Sequence, residues 1–546
     1  MADSTRITAP RSPFGRLAAA CAQIPVQGST AGASTRWLAA LGLATAIAVG
    51  LVGTAPPSGA QEAGSSAERP NFVVITTDDQ DAASLRRNVM PNVVGGISDR
   101  GTLFTSGFAS PPLCCPSRAG FLTGQYPHNH GVFSNHPGYP DLRGKTDTLP
   151  KWLKRSGYRT GFVGKFLNGY TNSKLDGIKP APGFDRWYAV HKRKLYYHYQ
   201  MTVNGRVRQF GGGKRDYLTK VITRYSEKFI RRENRKGNPF FLWASYWAPH
   251  YSTQERVKGP CDNLVLPAPG DERAFGDAPL PRPPSFDEED VADKPFFIRR
   301  LPRITDPGKP RMGQLEESYR CRLASLLGVD RGVKGILRSL RRSGELDNTV
   351  VVFTSDNGFY HGEHRITHGK NTPYEPAIRV PLAISVPAAL LEGPRAAVAP
   401  ELVSNVDLAP TILDLAGATP CKKGACRVLD GRSLAPLLSE GAAGWPEDRA
   451  VLFETRTGKA PCRYEAIRTQ RFFYAEHGTG NAASCRRAGQ TDLYDLNADP
   501  YELENLLSAG GSPPTNTAKA LKGRLDALRT CSGIEGRDGG VAPKCE

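Results

Sequence analysis

The sequence predicts an α/β protein built on a mostly parallel sheet, followed by a smaller α+β part. Three observations predict it. Four short runs rich in Val, Ile and Phe each end in polar residues, helical apolar spacing lies between them, and short strand-like runs crowd together after about residue 440. Continuous apolar runs of this length read as strands buried on both faces, the pattern of a parallel sheet covered by helices.

Taken in order, Asn71-Phe72-Val73-Val74-Ile75-Thr76 ends at Thr77-Asp78-Asp79, and Arg159-Thr160-Gly161-Phe162-Val163 ends at Gly164-Lys165. The run 239–246 ends at Trp247-Ala248-Pro249-His250, and 349–354 ends at Ser355-Asp356-Asn357. Open α/β sheets bind ligands just past the C-terminal ends of their strands. Four distant segments therefore deliver Asp78, Asp79, Lys165, His250, Asp356 and Asn357 to one edge.

Between the strands, Asp147 to Ser156 reads as a helix with Pro150 in its first turn. Gln314 to Ser343 is the clearest helix: Leu323, Leu326, Leu327, Val333, Ile336, Leu337 and Leu340 recur at helical spacing, and Gly344 follows as a C-cap. Residues 261–312 hold many prolines and few apolar runs, and read as an irregular excursion over the surface near the site mouth. Val403 to Leu415 reads as the last helix of the large part. Residues 450–453, 464–468 and 471–474 then read as antiparallel strands, and 518–529 as a terminal helix. The expected division is a leader over 1–60, a catalytic domain over 70–420 and an α+β subdomain over 440–546.

Residues 1–36 carry Arg6, Arg11, Arg16 and Arg36 against the single acid Asp3, and Trp37 to Ala55 has no charge. With Ser58-Gly59-Ala60 as a small-x-small site, this predicts an export signal; a retained membrane anchor is the rival. Either way the rest of the chain is expected outside the cytoplasm. The eleven cysteines agree with an oxidising compartment. Cys21 falls in the leader. Cys421 with Cys426, Cys462 with Cys485, Cys531 with Cys545 and Cys261 with Cys321 is one pairing in turn, although spacing alone leaves connectivity open. Cys114 and Cys115 remain outside it.

With 39% apolar and 23% charged residues the composition is that of an ordinary globular chain. The formal charge of +19 favours anionic partners. Basic clusters stand at His191-Lys192-Arg193-Lys194, Arg231-Arg232, Arg235-Lys236 and Arg341-Arg342. They read first as solvated faces, and second as a docking surface for a sulfated polymer. No recognition motif for nucleic acid accompanies them.

Cys114-Cys115-Pro116-Ser117-Arg118, followed by Leu122-Thr123-Gly124, resembles the sulfatase signature. Around it, Asp78-Asp79 and Asp356-Asn357-Gly358 resemble the two metal-ligand pairs of that family. Gly157-Tyr158-Arg159-Thr160 through Lys165 resembles its second signature, Ala248-Pro249-His250 its histidine loop, and Gly369-Lys370 its late lysine. The motif 495–500, with Glu502 and Asn505, resembles another near the C-terminus. The resemblance implies an alkaline-phosphatase-like fold and hydrolysis of sulfate monoesters. It implies that a formylglycine-generating enzyme oxidises Cys114 to formylglycine, whose hydrate attacks sulfur and whose second hydroxyl then expels sulfate. A plain serine lacks that second oxygen.

The roles implied are Asp78, Asp79, Cys114, Asp356 and Asn357 as ligands of Ca²⁺, or alternatively Mg²⁺. Arg118 orients the nucleophile, Lys165 and Lys370 grip sulfate oxygens, and His250 protonates or hydrogen-bonds the leaving group. The set contains no structural-zinc pattern. Many family members have His two residues after the lysine; here Leu167 stands there, followed by Asn168. That departure leaves the base for sulfate release open, with His130, Asn168 and His361 as candidates for substrate or proton contacts. Gly164-Lys165-Phe166-Leu167-Asn168, residues 126–130 and residues 197–205 resemble the branch acting on 6-O-sulfated N-acetylglucosamine. A sulfated carbohydrate is therefore the expected partner, nucleic acid is not, and a membrane enters only if the leader is retained. Two alternatives stay open: a phosphomonoester or phosphonate hydrolase of the alkaline phosphatase superfamily, and a glycan-binding protein with Cys114 unoxidised.

Overall fold

In a computed structural model, described for residues 69–546 except 171–178, 193–195, 253–260, 262–264, 307–310, 442–443, 457–462, 479–489, 509–514 and 535–542, all four apolar runs are strands. The central sheet has ten strands: β1 (Asn71–Thr77), β2 (Thr102–Phe104), β3 (Arg159–Gly164), β4 (Arg186–Lys192), β5 (Gln200–Val203), β6 (Arg206–Gln209), β7 (Phe240–Ser245), β8 (Thr349–Ser355), β9 (Leu382–Ser385) and β10 (Val398–Ala399). Their spatial order is β10-β2-β9-β8-β1-β7-β3-β4-β5-β6. The inner five, β8-β1-β7-β3-β4, all run parallel, while β9, β5 and β6 pair antiparallel with their neighbours.

Strand alternation sends successive side chains to opposite faces. Val73 and Ile75 face one buried cluster, together with helices α2 (Leu218–Asn234) and α3 (Arg311–Arg342). Phe72 and Val74 face the other, beside α1 (Cys114–Thr123) and α4 (Leu408–Leu415). The sheet is thus covered on both faces, which is why its inner strands carry no polar alternation. α3 ends at Arg342, and Gly344 takes φ 75° just beyond it, as its C-cap position predicts. The helix expected at 147–156 spans Leu149–Arg155, with Pro150 in its first turn. The expected helix 403–415 is helical from Leu408; Val403–Ser404 instead pairs with Gly107–Phe108.

The C-terminal sheet is antiparallel, β11 (Val451–Thr455), β12 (Tyr464–Arg468), β13 (Phe472–His477) and β14 (Gln490–Asp495) in sequence order. Its one face packs against Phe108, Tyr374 and Ile378 of the large part. Its other face receives Leu521, Leu525 and Leu528 of α5 (Thr515–Leu528). The excursion over 261–312 is irregular, with one short helix at Phe296–Arg299. It does not run wholly over the surface as expected. Val265, Leu266, Ile298 and Ile304 are buried, and at the last of these Asp287 accepts the backbone hydrogen bonds of Ile304 and Thr305 and so satisfies an inward turn. Among the described residues disulfides join Cys261 to Cys321, Cys421 to Cys426 and Cys531 to Cys545, and Cys114 is a free thiol. The expected Cys462–Cys485 pair and the leader lie outside the described residues. Among the described residues no helix is long and apolar enough to cross a membrane.

Candidate active site

Four neighbouring parallel strands carry the site. Asp78 and Asp79 follow β1, Asp356 and Asn357 follow β8, Lys165 follows β3, and His250 lies in the turn after β7. Gly164 fixes where Lys165 starts. It adopts φ 116°, and a Cβ there would fall 1.8 Å from the Ser245 carbonyl oxygen, so only glycine fits. Asp79 sits at φ 69°, a left-handed conformation uncommon for a residue with a side chain. It is held there by its neighbours: its N–H donates to Asp356 Oδ1 (3.2 Å), and its carbonyl accepts from the Arg322 guanidinium.

Cys114 is the first residue of α1, a helix whose ten residues are all buried. The thiol lies 3.5 Å from Asp78 Oδ1, and Lys370 Nζ donates to its sulfur at 3.3 Å. One turn along α1, Arg118 donates from Nε to Asp356 Oδ2 (2.8 Å) and from Nη1 to Ser245 Oγ (2.6 Å) and the Lys165 carbonyl (2.5 Å). Its Nη2 lies 3.4 Å from Asp78 Oδ2. Lys165 forms an ion pair with Asp78, and its ammonium stands 4.8 Å from the Trp247 ring centre. Lys370 pairs with Asp79. His250 Nε2 is 3.7 Å from Asp79 Oδ2, and its Nδ1 donates to the Tyr251 carbonyl (2.8 Å).

Every residue named from the sequence as catalytic or as a metal ligand is thus in one cluster. Burial alone would raise the Asp78 carboxyl; Lys165, His250, Arg118 and Lys370 together outweigh it and hold the group below the ordinary carboxylate range. Asp79 is lowered in the same way, chiefly by Lys370 against its burial. Burial and then Asp78 push the Cys114 thiol up to about 12. Burial pushes the His250 imidazole down to about 4 despite the two aspartates. The balance is three buried carboxylates held by two lysines and an arginine in a site that opens only at Lys370 and His250, so that pairings inside it are stronger than at the surface.

The residues fit a hard divalent cation. Asp79 Oδ2 and Asn357 Oδ1 are buried without a hydrogen-bond partner, although such atoms are almost always satisfied. Ligand atoms of Asp78, Asp79, Cys114 and His250 all lie within 4.8 Å of one another. Carboxylate and amide oxygens are the donors that Ca²⁺ and Mg²⁺ prefer.

The candidates for substrate or proton contacts fare differently. Asn168 stands near the nucleophile through its backbone, whose N–H lies 2.9 Å from Cys115 Sγ. His130 is buried against Val132 and feels Arg427, His128 and Arg143 rather than the site. His361 lies 3.4 Å from Asp81 and lines a cavity of about 360 Å³ with Tyr319 and Glu502, whose walls do not include Cys114. Leu167 is buried and has no titratable group, so position 167 itself supplies no base.

Arg322 also belongs to the site, although no motif in the sequence marks it. Its Nη1 donates to the Pro249 carbonyl (2.9 Å), its Nη2 to that of Asp79, and its guanidinium lies 3.6 Å from the Phe359 ring centre. A signal existed: Tyr319, Arg322, Leu326, Val329 and Val333 share one stripe of α3, and a charge on an apolar stripe needs a buried partner.

Comparison with known proteins agrees with this geometry. Residues 70–418 match the sequence model of the sulfatase family, and residues 362–531 match one described as N-sulphoglucosamine sulphohydrolase, C-terminal. The chain is 31% identical over 520 residues to the N-acetylglucosamine-6-sulfatase of Homo sapiens, covering 87% of each protein. It is 35% identical over 376 residues to the putative extracellular sulfatase Sulf-1 homolog of Caenorhabditis elegans, of whose length it spans about half (49%). A solved structure in complex with its substrate D-glucosamine-2-N,6-O-disulfate superposes with a TM-score of 0.66 at 26% identity, over 84% of this chain and 97% of that one. The phosphonate monoester hydrolase of Agrobacterium radiobacter shares the fold, with a TM-score of 0.59 at 23% identity over 84% of this chain and 95% of that one. A nucleophile motif at a helix start, ringed by strand-end carboxylates and lysines and matched over 70–418, places the chain in the sulfatase family.

Proposed function

We propose that this protein hydrolyses sulfate monoesters of sulfated sugars, with 6-O-sulfated N-acetylglucosamine as the preferred class, through formylglycine formed at position 114. The observation that carries the reading is the placement of Cys114 Sγ between Asp78 (3.5 Å) and Lys370 Nζ (3.3 Å) beside the orphaned oxygens of Asp79 and Asn357. The sulfur marks where the nucleophilic oxygen of hydrated formylglycine would stand. Asp78, Asp79, Asp356 and Asn357 would hold Ca²⁺ or Mg²⁺, which when bound lowers the pKa of an oxygen nucleophile and offsets charge. Arg118, locked by Asp356 and Ser245, fixes the residue at 114 from one turn away. Lys165 and Lys370 flank the nucleophile and grip sulfate oxygens, countering charge in a dry site. His250, at the mouth, commits its Nδ1–H to the Tyr251 carbonyl, so it supplies a proton to the leaving oxygen only in the doubly protonated form and otherwise offers Nε2 as an acceptor. The preference for 6-O-sulfated glucosamine is supported by the human relative and by the substrate bound in the solved neighbour. Export is supported by the uncharged run 37–55 and by the extracellular relative.

Kinetics on matched aryl esters test the reading. The expected result is a kcat/KM for 4-nitrophenyl sulfate above that for the phosphate and the phenylphosphonate, lost in Cys114→Ala. A reversed ratio favours the phosphonate-hydrolase reading, and equal turnover by Cys114→Ala removes the nucleophile from the account.

A further inference from the structure

A cleft opens between α2 and α3 at the edge of the sheet opposite the nucleophile. α2 ends just before β7 begins, and α3 just before β8, so both helix C-termini sit where those strands start. The strands then rise for six and seven residues before reaching the site, roughly 20 Å at about 3.3 Å per residue. The cleft has a volume of about 300 Å³. Glu227, Arg231, Asn234 and Arg235 line it from α2 and the residue after it, and Arg338, Ser339 and Arg342 from α3. Basic segments more than a hundred residues apart in sequence thereby share one wall.

Two features go beyond a solvated basic face. Arg231 is partly offset by Glu227 (3.4 Å), but among the described residues Arg235, Arg338 and Arg342 make no ion pair. Ser339, on the floor and only 6% exposed, has a hydroxyl without a hydrogen-bond partner. Positive side chains at helix C-termini complement the helix dipoles. That accounts for some of the charge, not for a cavity with an unused buried donor. Guanidinium forks and a hydroxyl are what a tetrahedral oxyanion accepts from.

We propose that this cleft is a second binding site, taking one sulfate group of a sulfated polysaccharide whose other sulfates reach the catalytic centre. The choice of polymer rests on the reading of the active site as acting on sulfated sugars. Holding the polymer at the far edge raises its effective concentration at the nucleophile without touching the chemistry. A small ester, which cannot engage both sites, gains nothing from it.

The test titrates the full chain with a size-fractionated heparin oligosaccharide at several salt concentrations. Arg338→Ser/Arg342→Ser is compared with Arg206→Ser/Arg208→Ser, a charge-matched pair on the exposed strand β6. The cleft pair is expected to weaken binding by about tenfold and flatten its salt dependence, since charge-assisted contacts are lost. The β6 pair should change it by less than about twofold, as expected for exposed charges. Ser339→Ala should weaken binding with no change of charge. Hydrolysis of 4-nitrophenyl sulfate should be the same in all variants. Equal losses in both pairs, or none in the cleft pair, overturn the proposal. Competition by double-stranded DNA as effective as by unlabelled heparin overturns the choice of polymer. If the unaltered protein binds the oligosaccharide through the cleft but hydrolyses no sulfate ester, the catalytic reading fails while the cleft stands.

Discussion

Arg322 joins the two loops that the chemistry needs. It ties the carbonyl of Asp79, a proposed metal ligand, to that of Pro249, next to His250, and stacks on Phe359 two residues after Asn357. Arg322→Met keeps the volume but removes both bonds and leaves two buried carbonyls unpaired. Groups that orient metal ligands are worth tenfold to a hundredfold in affinity. Calcium affinity by calorimetry should therefore fall by about ten- to a hundredfold, and Arg322→Lys should recover part of it. Unchanged affinity in Arg322→Met would reduce the residue to packing. For His250→Ala, kcat should fall by about a hundredfold or more while KM changes little, because the group acts on the leaving oxygen and not on the sulfate. At this scale the strand-end acids and Lys165 were legible through their joint order at the ends of apolar runs, although each alone also reads as a helix cap or a surface residue. Arg322 was not, because its partners are backbone carbonyls that no motif records.

A helix buried along its whole length carries Cys114, the proposed nucleophile position. All ten residues of α1 are covered, and Cys114 is 2% exposed. A separate oxidising enzyme cannot seat such a thiol once the chain has folded. A peptide spanning residues 110–124 should be converted by an added formylglycine-generating enzyme, and the folded thiol protein should not. Conversion of both at equal rates would mean that α1 leaves the core readily. The inner strands β1, β3, β7 and β8 were legible for the same reason they position the site: each is buried on both faces. The strands β4, β5 and β6 were not read as strands, and neither was β14. β6 is Arg-Val-Arg-Gln with all four residues exposed, and β14 mixes Asp and Thr with Leu and Tyr. β6 and β14 are edge strands, which pair through the backbone and need no apolar run, so composition is silent about them, whereas the inner strand β4 buries Trp187, Tyr188 and Val190 but is broken up by Arg186, His191 and Lys192.

Across the whole molecule, segments far apart in sequence meet around His364. Its Nδ1 lies 2.7 Å from Glu288 of the irregular excursion, and its Nε2 lies 3.8 Å from Glu502 beyond the second sheet. Burial would lower the imidazole, but the two carboxylates outweigh it and push it from 6.5 up to about 9. A group whose pKa is raised on folding contributes stability that is fully present below its unfolded value and is lost as pH climbs through the folded one. Burial, with Glu375, also pushes Glu502 from 4.5 up to about 7, which removes stability in the same direction. Thermal midpoints should therefore fall between about pH 6.5 and 9, and His364→Gln should flatten that slope; an unaltered slope would sever the link. This junction was half legible, since Glu502 was named with a motif while His364 and Glu288 were not, and the pairing depends on how the excursion turns inward. Every scale nevertheless serves one atom, the Sγ of Cys114. Peptide mass spectrometry across that residue, on protein from its native host, tests the account most directly. Conversion to formylglycine lowers the residue mass by about 18 Da and leaves an aldehyde that hydrazides label, and this is the result expected. An unmodified thiol at Cys114 in protein that still hydrolyses sulfate esters would contradict the account.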